Sequence, residues 1–199
     1  MSQTPEIMKP DRLSAFTDGV IAIIITIMVL ELPVPRGNDL AALMEELPLF
    51  GAYALSFVNV GIFWVNHHHM MHLAKQVDGR VLLANLLLLF WLSLVPFVIR
   101  WIGEAHIRPM PVATYGAILT MASLSYLLIE RALIAAEPGK SALDVALGSK
   151  KKEIVSFLLY LAAVPLAFVS VWVSVALYVV VSLIWIIPDR RVEKTLPNG

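Results

Sequence analysis

Arg12, Phe16, Thr17, Asp18 and Gly19 stand at the mouth of an apolar run that continues to Leu32, and Asp18 carries a carboxyl group into it. An ionisable side chain at the centre of a membrane helix costs at least about 2.5–3.5 kcal/mol, so an acid in such a run marks a functional site with a partner to be found. Candidate partners are Asn66, His67 and His68, and farther along Asn85. A carboxylate accepting from an imidazole or an amide satisfies each of these groups in an apolar medium. The histidines have an alternative, which is contact with headgroups and water at the membrane surface. The same residues also permit a different chemistry, in which Asp18 and His67 or His68 shuttle protons.

A second constellation follows Asp18 directly. Ile23, Ile27 and Leu30 recur at the four-then-three spacing that keeps side chains on one stripe of a helix, with Thr26 at its edge. At 3.6 residues per turn Asp18 points roughly 140° away from Ile23, so acid and stripe face different surroundings. On composition alone the stripe is a packing or lipid-facing surface. Glu31, at the far end, reads either as a solvated helix end or as an acid that concentrates cations. His67, His68, His69 and His72 include pairs at metal-ligand spacing, but Asp78 is the only carboxylate near them in sequence, and no metal is assigned. Phosphate-binding glycine loops, nucleophile elbows and paired-carboxylate motifs are missing from the sequence, which predicts no catalytic residues, no enzyme and no cofactor.

The elements that must position these groups follow from composition. With 59% apolar and 15% charged residues, the chain reads as an all-α integral membrane protein of the cell membrane, surrounded by the lipid bilayer. Fifteen basic residues balance fifteen acidic ones, which gives no reason to expect a nucleic-acid partner, and the absence of cysteine excludes disulfides. The first apolar run reads as a retained helix and not a cleavable leader, because it is long and Asp18 interrupts its start. Runs long enough to cross a bilayer occur near 15–33, 48–70, 81–102, 111–131 and 154–187. The last is too long for one span and divides into 154–170 and 173–187. Pro96 and Pro165 are expected to kink the third and fifth helices.

Six spans place both termini on one side. With that side cytoplasmic, 12 of the 15 basic residues lie inside and only Arg36, Arg100 and Arg108 outside, as the positive-inside rule requires. The inside set is Lys9, Arg12, Lys75, Arg80, Arg131, Lys140, Lys150, Lys151, Lys152, Arg190, Arg191 and Lys194. The reading is therefore a single six-helix domain over 1–199, with the connection at about 132–153 and the tail at 189–199 cytoplasmic. The cytoplasmic ends of the first three helices then share one depth, so that Asp18, Asn66, His67, His68 and Asn85 can form one buried polar layer.

Arg12-x-x-x-Phe16-Thr17-Asp18-Gly19, the run from Val20 to Glu31, Phe63-Trp64-Val65-Asn66-His67-His68 and Asn85-Leu-Leu-Leu-Leu-Phe90 together resemble prokaryotic members of the transmembrane protein 175 family. These in turn resemble lysosomal and endosomal potassium channels of animals, which carry the same unit twice. Thr17 departs from the serine usual in the family but keeps the hydroxyl. The resemblance implies a homotetramer in which helix one of each subunit lines a pore for potassium ions, with no re-entrant filter loop. It also implies that Ile23 forms the narrowest ring, followed by Ile27 and Leu30. Arg12, Phe16, Thr17 and Asp18 would then belong to a hydrogen-bonded network that holds the pore helix, with His67 or His68 as partner. No TVGYG-like segment occurs in the sequence, which fits a pore without a carbonyl filter. The reading from a different class is a proton-coupled secondary transporter using Asp18 and the histidines; against it, the chain is short and shows no inverted repeat.

Overall fold

The computed structural model describes residues 9–136 and 151–186. Among these residues the chain forms eight helices and no strands: α1 (Pro10–Leu30), α2 (Leu40–Glu45), α3 (Leu47–Leu73), α4 (Gly79–Ser93), α5 (Val95–Ala105), α6 (Pro109–Ala136), α7 (Lys151–Leu166) and α8 (Val171–Ile186). Lys140, Lys150, Arg190, Arg191 and Lys194 of the expected inside set, and the end of the sixth expected span at 187, lie outside the described residues.

Among the described residues four segments are long and apolar enough to cross a membrane: Pro10–Leu30, Leu47–Leu73, Gly79–Ala105 and Pro109–Ala136. The chain is therefore an all-α membrane protein. The later two helices are shorter, at 16 residues each, which is about 24 Å of helix against a hydrocarbon core of roughly 30 Å. The third segment is broken at Leu94, where α4 ends and α5 begins with Pro96 in its first turn. Proline lacks the N–H that a continuous helix would need there, and it fits the first turn of a new one. Pro165 lies next to the last residue of α7, where it interrupts the ladder just before the turn into α8. The six-residue α2 was not expected from the sequence; Asp39 caps it by accepting from the Ala42 N–H at 2.9 Å.

α6 is the central helix and packs against α4, α5, α7 and α8. α1 lies on the other side of the bundle, held by α3, α4 and α5. A polar hub ties the α6 side together. Asn59, buried on α3, donates to the Tyr115 hydroxyl at 3.4 Å and accepts from the Tyr160 hydroxyl at 2.8 Å and the Ser182 hydroxyl at 3.2 Å. Those three partners sit on α6, α7 and α8, so one amide satisfies hydroxyls from three other helices where no water competes.

Candidate pore helix and its bracing site

α1 is buried along one arc and bare along another. Leu13, Thr17, Ile21, Ile24 and Met28 point into the bundle and are buried. Turning 100° per residue, Arg12, Phe16, Gly19, Ile23, Thr26, Ile27 and Leu30 fall on a separate stripe, all of them exposed in the subunit. The contrast is large: Met28 is 0% exposed, Ile23 58% and Leu30 78%. Thr26 donates its hydroxyl proton to the Ile23 carbonyl at 2.9 Å. Its oxygen lone pairs are therefore what it offers outward, the polarity a cation needs.

The buried arc is anchored by a chain of three side chains from three helices. Asn85 on α4 donates from Nδ2 to Thr17 Oγ1 at 2.9 Å, and its Oδ1 lies 2.8 Å from His67 Nε2 on α3. Because the amide nitrogen is turned to Thr17, its oxygen faces the imidazole, and His67 donates from Nε2. All three side chains are buried. His67 Nδ1 meets no hydrogen-bonding partner among the described residues.

Asp18 is braced separately. Its Oδ1 accepts from the indole Nε1 of Trp64 at 2.8 Å, rather than from either histidine. Sequence reasoning missed Trp64 because tryptophan in a membrane helix counts first as apolar bulk or an interfacial anchor. Its signal was the position, one turn before His68. His68 is exposed and stacks on His72 with ring centroids 5.6 Å apart, outside the buried chain. Asn66 also stands apart: its amide donates to the Ile62 carbonyl of its own helix, and its backbone carbonyl accepts from Tyr126. Arg12 and Phe16 are on the exposed stripe. Glu31 caps the end of α1 and lies 4.0 Å from Arg100 of α5, which also pairs with Glu104 at 3.0 Å.

Hydrogen bonds to charged groups contribute about 1.5–3 kcal/mol, and partial exposure of both partners brings this one below that range. Trp64→Phe is expected to lower stability by about 1 kcal/mol. A thermal-unfolding comparison in detergent checks this; an unchanged midpoint would mean that the indole does not brace Asp18.

Residues 12–96 match the family described as endosomal/lysosomal potassium channel TMEM175. A potassium channel of Chryseobacterium sp. (strain P1-3) is 49% identical over 192 residues, covering 96% of this chain and all of that protein. This chain belongs to the TMEM175 family. The solved structure of a lysosomal potassium-selective channel TMEM175 homolog from Chamaesiphon minutus superposes with a TM-score of 0.77 at 29% identity, covering 92% of this chain and 97% of that one. The human endosomal/lysosomal proton channel TMEM175 is 36% identical over 98 residues, 43% of this chain and 19% of that protein. The region shared with the TMEM175 family holds α1, α3 and α4, which supply the exposed stripe and all of its bracing residues.

Proposed function

We propose that this protein is a potassium-favouring cation channel of the cell membrane, a homotetramer in which α1 of each subunit lines a central pore. The observation that carries the reading is the exposed stripe on α1. A membrane helix braced by buried hydrogen bonds on one side presents Gly19, Ile23, Thr26, Ile27 and Leu30 to the other. In this reading the chain forms a single six-span domain, counting α4 with α5 as one span and α7 and α8 as the last two, with both termini cytoplasmic. The basic residues at Arg12, Lys75, Arg80 and Lys151 support that sidedness.

Ile23, Ile27 and Leu30 would form apolar rings in place of a carbonyl filter. A ring too narrow for a hydrated ion forces partial dehydration, which costs potassium less than sodium, and wetting or drying of the same ring gates the path. Thr26 supplies oxygen lone pairs beside the constriction. Glu31 sits near the outer mouth, where its pairing with Arg100 tempers its charge. The bracing of Asp18 favours the channel over a proton-coupled carrier. An indole N–H donates only and cannot take up a proton, so the contact Asp18 makes is suited to holding a helix and not to relaying.

The natural sequence contains no cysteine, so single cysteines report without background. A positively charged thiol reagent is expected to cut the current of Leu30→Cys by more than half and to leave Met28→Cys unchanged. Modification of Leu30→Cys, confirmed by mass, without change in current would remove α1 from the pore.

A further inference from the structure

Away from α1, the subunit has an apolar groove of about 460 Å³ between the N-terminal half of α3, the start of α6 and the first turns of α8. This volume is in the range of small-molecule and lipid sites. Ala52, Leu55, Ile107, Val175 and Val179 form its walls, and Trp172, 65% exposed, stands at its side. Its floor has hydroxyls whose bonds are already made. Ser56 donates to the Ala52 carbonyl, Tyr178 to the Val112 carbonyl, and the Tyr115 hydroxyl accepts from Asn59. An occupant therefore needs no polar group at depth, and a polar one would lose its own hydration without compensation.

Two features define what fits. Along α3 the lining runs from Leu47 to Ser56, ten residues whose nine steps rise about 14 Å along the helix. Half of a hydrocarbon core of roughly 30 Å is nearly the same length, so the groove spans one leaflet. At its end, Ile107 of the lining is followed by Arg108, which is exposed and forms no ion pair among the described residues. Arg100, by contrast, is engaged by two glutamates. An exposed arginine one residue beyond the lining of an apolar slot of leaflet depth matches a phosphate joined to an acyl chain.

We propose that this groove is a phospholipid site, holding one acyl chain against α3 and α8 with the phosphate on Arg108. The site matters to the rest of the molecule because α3, which walls the groove, and α5, whose Ile102 also lines it, both hold α1. The inference rests on membrane embedding alone and stands whether or not the protein conducts.

The test titrates phosphatidylglycerol with brominated acyl chains into the full-length protein in detergent and reads tryptophan quenching. Trp172→Phe identifies the contribution of that indole among the five tryptophans. Quenching of Trp172 is expected to saturate at a low lipid mole fraction, and Val175→Phe, which fills the groove, to raise half-saturation at least tenfold. Arg108→Gln is expected to raise it about fivefold for phosphatidylglycerol, the effect of one basic residue near a lipid phosphate, and to leave brominated diacylglycerol unchanged. Should Val175→Phe fail to fold, Val179→Phe at the more exposed wall replaces it. Quenching that rises in proportion to lipid without saturating would overturn the proposal, as would equal half-saturation in wild type and a folded filled variant. Either result would mean that bulk lipid or a second copy of the chain covers this face.

Discussion

Ile23→Asn is expected to bring the potassium-to-sodium permeability ratio close to one. In the proposed pore the Ile23 ring would discriminate because isoleucine offers no ligand to replace the water that an ion must shed, and sodium would lose more than potassium in that exchange. An asparagine at the same place supplies amide oxygens and retained water, which lowers the barrier for sodium most. With potassium on one side and sodium on the other, each tenfold fall in the ratio moves the reversal potential by about 59 mV for a monovalent ion. A variant that conducts with unchanged reversal would shift the filter to Ile27 or Leu30. Its position on the exposed arc of α1, opposite the buried one, makes the substitution cheap for folding: Ile23 touches little within its own subunit.

The second large effect separates bracing of α1, the proposed pore helix, from general stability. Asn85→Leu orphans His67 and Thr17, both wholly buried, and Asn59→Leu orphans the hydroxyls of Tyr160 and Tyr115, while Ser182 keeps its bond to the Tyr178 carbonyl. Leaving buried polar groups unpaired costs about 1–3 kcal/mol each in soluble proteins, and less in membranes, where bonds average about 0.6 kcal/mol. With two groups orphaned in each, either variant is thus expected to lose about 1–3 kcal/mol, read as a fall in thermal midpoint. Their currents are expected to differ. Only Asn85 touches α1, through Thr17, so Asn85→Leu should alter open probability or selectivity in the channels that remain folded. Asn59→Leu should reduce the number of working channels and leave each one as it was. Identical single-channel behaviour in the two variants would argue that the Thr17–Asn85–His67 chain has no special hold on the pore.

The membrane helices were legible because apolar runs of bilayer length have few other uses. The break between α4 and α5 was legible as a kink at Pro96, although the sequence reads it as a bent helix and the structure ends one helix and starts another. The exposed stripe on α1 was legible as a periodicity, but not its direction: apolar residues occupy both arcs, and only tertiary packing decides that Ile24 and Met28 face inward while Ile23 and Ile27 do not. Partner choice in the polar layer was the least accessible. The depth argument brings Asp18, His67 and Asn85 to one level, yet at that level a carboxylate has several donors in reach, and Trp64 is placed to win. Asn59 was overlooked as a single amide in an apolar run. Its signal was distributed: Ser56, Tyr115, Tyr160 and Ser182 are polar side chains on four helices, and polar groups in hydrocarbon are expected to find one another.

The central claim, that α1 lines a path favouring potassium, is tested most directly by the reversal potential of the purified wild-type protein in a planar bilayer with potassium on one side and sodium on the other. Discrete current steps reversing toward the potassium equilibrium potential are the predicted result. Absence of current, with pH-dependent flux in liposomes in its place, would contradict the account and point to a proton-linked carrier built on Asp18 and the histidines.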